Sequence, residues 1–108
     1  MGRTFRKIES EMELEKVKIE LNKIGSRLAL ETNNVECYLF GSILTSPKQA
    51  NDIDVLILYD NGKQIQDIKR EFNEIEHTHP IHMNYFTFEE DDELNFSSRQ
   101  RAEIIFKI

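Results

Sequence analysis

Cysteine is almost absent from this chain. Its one thiol, Cys37, lies inside an apolar run, so no disulfide framework can form, and a reduced, cytoplasmic setting is the expectation. No apolar stretch approaches the roughly 18 residues of a membrane span, and the N-terminus lacks the apolar core of a signal peptide. Neither a membrane nor a secreted protein is expected. A basic excess is also missing: 20 acids against 14 bases leave a net charge of -6. That balance excludes general nucleic-acid binding and attraction to anionic membranes, which need clustered cations. Repeats, low-complexity segments and interior linkers are absent as well. The 108 residues are therefore read as a single domain, 1–108. With 39% apolar and 31% charged residues the composition is that of a globular domain with one core.

Leu14, Val17, Leu21, Ile24 and Leu28 recur at helical spacing, with Glu15, Lys16, Lys18, Glu20 and Lys23 between them. The pattern predicts an amphipathic helix from Ile8 to near Asn34, preceded by a solvated basic tail carrying Arg3, Arg6 and Lys7. Gly25 inside it marks a close packing contact. Val35 to Phe40 is apolar enough for a buried strand. After Gly41-Ser42, the segment from Ile43 to Asn51 predicts a turn of helix and a loop. Asp52 to Tyr59 predicts a second strand, closed by Asp60-Asn61-Gly62. Ile65, Ile68, Phe72 and Ile75 predict a helix from Lys63 to Glu76. In Pro80 to Phe86, Ile81, Met83 and Tyr85 alternate with His82 and Asn84, the mark of a strand with one buried face. Thr87 and Glu90 form a capping box for a short acidic helix through Phe96. Ser97 to Ile108 reads equally as a terminal helix or as a strand at Ile104-Ile105-Phe106. The fold class that follows is α/β (α+β): a small mixed β-sheet of three to four strands with helices packed mainly on one face.

The chemistry concentrates in Gly41-Ser42 and, nine residues later, Asp52-Ile53-Asp54. Gly41 ends a buried strand where a side chain would block a ligand. Backbone N–H groups and the Ser42 hydroxyl there suit phosphate oxygens. Asp52 and Asp54, two apart on a strand, leave the same face with Cα atoms about 6.6 Å apart. Such a pair suits a hard divalent cation that completes its shell with water and substrate phosphates. An isolated Asp-x-Asp or Gly-Ser is common and more often just solvated. Their union on consecutive strands, with apolar runs flanking both, favours the functional reading, since like charges on one face need compensation.

Leu39-Phe40-Gly41-Ser42 through Asp52-Ile53-Asp54-Val55-Leu56-Ile57 resembles the signature of the DNA polymerase beta-like nucleotidyltransferase superfamily, above all its minimal single-domain members. The resemblance implies a nucleoside triphosphate bound with Mg²⁺ or Mn²⁺, nucleotidyl transfer to an acceptor hydroxyl, and release of pyrophosphate. It implies that Gly41 and Ser42 hold the β- and γ-phosphates, with Lys48 the nearby cation, and that Asp52 and Asp54 ligate the metal. It also implies a partner, since minimal members often act beside a helical protein in toxin–antitoxin pairs; a homo-oligomer is the other expectation. The sequence departs from the family where a third carboxylate usually stands on the next strand. His82 is the best match to that position and Asn84 the second, and imidazole suits Mg²⁺ poorly. The loop after Ser42 lacks the arginine often seen there. Two functions stay open: a weakly active nucleotidyltransferase using Asp52, Asp54 and His82, or an inactive nucleotide- or partner-binding module.

Other residues read more plainly. His77, His79 and His82 lack the spacing of a zinc site. Glu89 to Glu93 is the solvated start of a capped helix, Arg99 and Arg101 are within reach of an anionic ligand but are read first as helix surface, and Cys37 and Tyr38 as core. Ile104, Ile105, Phe106 and Ile108 form an apolar cluster expected to support self-association or a partner.

Overall fold

A computed structural model describes residues 2–46 and 50–108, with side chains from residue 13 onward. Four strands, β1 (Val35–Phe40), β2 (Ile53–Tyr59), β3 (Ile81–Thr87) and β4 (Glu103–Lys107), form one mixed sheet in the order β3-β2-β1-β4. β1 runs antiparallel to β2 and β4, and β2 runs parallel to β3. A parallel neighbour needs a crossover, supplied by α3 (Ile65–Thr78). The α+β sheet with its helices is the predicted class.

Alternation sorts the strands onto two faces. Val35, Cys37 and Leu39 of β1 and Ile53, Val55 and Ile57 of β2 join the larger core. Over them lies α1 (Gly2–Leu28), whose Val17, Leu21, Ile24 and Leu28 are buried as the spacing predicts. Ile68, Phe72 and Ile75 bury the inner side of α3, and Arg27 on α1 donates to Glu71 on α3 at 2.9 Å. The opposite face carries a smaller cluster around Phe40, Leu56 and Leu58, closed by Phe86, Phe88 and Phe96. There sit the short helices α4 (Phe88–Leu94) and α5 (Phe96–Arg99).

Several boundaries differ from the sequence reading. α1 starts at Gly2 rather than Ile8, since no helix breaker separates the basic segment from the apolar stripe; it ends at Leu28 and continues as turns. The capping box of Thr87 and Glu90 is present in both directions, but Asn95 in the left-handed region (φ 52°) breaks the acidic helix before Phe96. The segment after Ser97 holds both alternatives in turn, a helical end and then β4. Phe106 is core: a Cβ on Gly25 would stand 2.7 Å from its Cγ, and its ring stacks on Phe72 at 6.5 Å. Ile105 and Ile108 pack partly against the same core, which leaves Ile104 alone exposed in the C-terminal apolar cluster. Tyr38, expected in the core, is half-buried and donates its hydroxyl to Glu36 Oε1 at 2.5 Å. Among the described residues, no helix is long and apolar enough to cross a membrane.

Candidate active site

At one end of the sheet β1 stops and β2 and β3 start. The register puts Phe40 opposite Asp54 and Asp54 beside His82, so the start of β2 is flanked by the Gly41 turn on one side and His82 on the other. The Ile53 N–H donates to Pro80 O at 2.8 Å, tying the two strand starts together.

Gly41 takes φ 83° and ψ -157°, a left-handed conformation that favours glycine. Space makes a second demand. A Cβ at Gly41 would lie 2.6 Å from Asp54 Oδ2, with no room for even a methyl group. The chain then turns into α2 (Ser42–Thr45), where Leu44 N–H donates to Gly41 O and Ser46 N–H to Ser42 O. Ser42 is exposed and Ile43 is buried beneath it. The first N–H groups of such a turn have no acceptor within it.

Asp54 Oδ1 faces the third strand. With its proton on Nδ1, His82 donates to that oxygen at 3.3 Å; the His82 side chain is 69% exposed and that of Asp54 26%. Asn84, the second match, is used otherwise: its Nδ2 donates to Val55 O at 3.2 Å and to His82 O at 3.4 Å. Asp52 is exposed in the bend before β2, which begins one residue later than the pattern predicts. Lys48 lies outside the described residues. His77 contacts Asn73 O and His79 contacts Glu13, so the three histidines occupy three separate environments.

The structure thus gathers Gly41, Ser42, Asp54 and His82 at one sheet end, with Asp52 adjoining in sequence. Among the described residues, no three His, Cys, Asp or Glu side chains converge as a complete metal cage. The donors do fit a hard divalent cation held largely by water and phosphate, because Asp54 Oδ2 lies against a bare glycine and carboxylate oxygens match Mg²⁺. Imidazole adds little to such a site.

Arg101, weighed as able to reach an anionic ligand but placed on a helix surface, lies instead in a turn leading into β4 with φ 51°.

A mixed sheet with a glycine turn after its first strand and a carboxylate at the head of its second defines a nucleotidyltransferase-like domain. The chain belongs to the polymerase beta nucleotidyltransferase family, whose model (Polymerase beta, Nucleotidyltransferase) matches residues 22–108. No curated protein and no solved structure matches the chain.

Proposed function

We propose that this domain binds a nucleoside triphosphate together with Mg²⁺ or Mn²⁺ and transfers its nucleotidyl group, slowly, to an acceptor hydroxyl. One observation carries the reading: Gly41 leaves no space for a side chain because Asp54 Oδ2 occupies it, while Asp54 Oδ1 meets His82. Gly41 and Ser42 would bind the β- and γ-phosphates through backbone N–H groups and the Ser42 hydroxyl, with Lys48 as the nearby cation. Asp52 and Asp54 would hold the cation, which supplies neutralisation of the triphosphate charge when bound. In the transfer the acceptor oxygen bonds to the α-phosphorus. The bond from that phosphorus to the bridging oxygen breaks, and pyrophosphate leaves with the electron pair. His82 with Nδ1–H directed to Asp54 keeps Nε2 free to take the acceptor proton.

His82 also favours a second reading. An imidazole where relatives are expected to carry a carboxylate supplies no permanent charge, so the same site suits a module that binds nucleotide, or a helical protein partner of the toxin–antitoxin type, without turnover. A second copy of the chain over the exposed Ile104 is the alternative association. A cytoplasmic setting suits the lone buried thiol of Cys37.

Calorimetry with each of the four NTPs and Mg²⁺, followed by transfer from α-labelled NTP, tests the proposal. Binding abolished by Asp54→Ala, with slow label transfer by the unmodified protein, is the expected result. Binding that survives Asp54→Ala overturns the site assignment. Binding without any transfer selects the second reading.

A further inference from the structure

Of the residues with left-handed backbone outside glycine, Asn34 and Asn95 belong to a type that tolerates φ above zero; Arg101 does not. The turn that imposes this is held on several sides. Arg101 N–H donates to Ser98 O at 3.1 Å and Ala102 N–H to Ser97 O at 3.0 Å. Ser97 is in turn fixed by Asp91, whose carboxylate accepts from the Ser97 N–H at 2.8 Å and from its hydroxyl at 2.7 Å. Phe96 packs edge-on against Phe40 and Phe86, with ring centroids 5.1 and 5.0 Å apart.

The register says where this turn stands. Glu103 pairs with Leu39, so the residues before Glu103 continue toward the Phe40–Gly41 end of β1, and Ala102 packs in the cluster of Phe40. Neighbouring strands are about 4.8 Å apart. Arg101, next to Ala102 and two residues before Glu103, therefore stands on the β4 side of β1, at the end of the sheet that holds Gly41, Asp54 and His82. It is exposed, and among the described residues it forms no ion pair. At this end of the sheet the other described site residues offer two carboxylates, an imidazole and a hydroxyl, in a chain of net charge -6. A polyanion bound there needs a cation, and a guanidinium meets phosphate oxygens with paired N–H donors.

We propose that Arg101 is a polyphosphate-binding residue that grips the β- and γ-phosphates from the β4 side of the Gly41–Ser42 turn. The inference rests on the reading of the site as a nucleoside triphosphate site. The strained turn holds the head of β4 at the binding end and trades backbone comfort for a fixed origin from which the guanidinium reaches the ligand.

The test uses Arg101→Gly, which suits φ above zero and removes only the side chain, with Lys107→Ala as a control of equal charge change at the far end of β4. Binding of the tightest NTP with Mg²⁺, and of its monophosphate, is measured by calorimetry on the full chain, beside thermal melting. Arg101→Gly should weaken triphosphate binding about tenfold or more. Monophosphate binding should stay unchanged, and the melting temperature should not fall. Lys107→Ala should leave both affinities as they are. Wild-type triphosphate affinity in Arg101→Gly, an equal loss for mono- and triphosphate, or an equal loss in Lys107→Ala overturns this inference alone. An unmodified protein that binds no nucleotide overturns the reading beneath it, and this inference with it.

Discussion

Asp54 Oδ2 occupies the space in which a side chain at residue 41 would begin, 2.6 Å from the ideal Cβ position of Gly41. A side chain at residue 41 would therefore have to push the Asp54 carboxylate out of its place across β1 and β2.

Gly41→Ala should consequently do more than strain a turn. The left-handed φ alone costs about 1–2 kcal/mol for an L-residue. The methyl group must also displace the Asp54 carboxylate. We expect a stability loss of about 2 kcal/mol or more in urea denaturation, with Mg²⁺–NTP affinity lost under conditions where the variant is still folded. Unaltered nucleotide affinity in folded Gly41→Ala would show that this contact has no part in binding.

At Gly25 two effects oppose each other. Alanine in a helix interior gains about 1 kcal/mol over glycine. Its Cβ would meet Phe106 at Cγ, the ring atom nearest the backbone, so the ring cannot swing aside cheaply. Overpacking costs about 1–3 kcal/mol, and the clash should win. Gly25→Ala should lower the urea midpoint, while Gly25→Ala with Phe106→Leu should recover part of the loss. A higher midpoint in the single variant would mean that β4 adjusts freely.

His82→Asp restores a hard anionic oxygen next to Asp54. Mg²⁺ and Mn²⁺ should bind more tightly, by about tenfold for one added carboxylate ligand. Label transfer, where the wild type shows any, should rise. Equal Mn²⁺ affinity in both proteins by calorimetry would remove His82 from the metal side of the site.

Burial pushes the Cys37 thiol up. It does the same to the Tyr85 phenol, which also feels Glu76 and Cys37. In the unfolded chain the thiol ionises near its ordinary value of about 8.5. The folded state thus binds the proton more tightly, and this contribution is complete below that pH and lost as pH rises above it. Above the ordinary value each such group should remove about 1.4 kcal/mol per pH unit. Between pH 9 and 10 the thiol should dominate, since tyrosine ionises near 10. Urea denaturation at pH 7, 9 and 10 should show a shallower decline for Cys37→Ala than for the wild type. Parallel declines would assign the alkaline loss to other groups.

Where local rules act alone, the sequence was legible. The apolar runs of β1 and β2, the stripe of α1 and the Thr87–Glu90 box needed only periodicity and capping chemistry. The pairing of His82 with Asp54 followed from alternation once β3 was set beside β2. Tertiary preferences were not legible. Nothing local says that Asn95 breaks the acidic helix, or that the last strand pairs with β1 rather than lying free. Arg101 was set on a helix surface for the same reason: its left-handed turn is imposed by Ser97, Ser98 and the Phe40–Phe96 contact, not by its own propensity.

The placing of β4 beside β1 bears on how the chain is made. β1 and β2 are separated by a short connection and can pair as soon as both have been synthesised. The ring that seals Gly25 on α1 arrives some eighty residues later, on Phe106. Until then α1 has no cover at its glycine, and β1 presents an open edge to any neighbouring strand. Nascent chains stalled before residue 103 should therefore engage chaperones and aggregate, and those released after β4 should not.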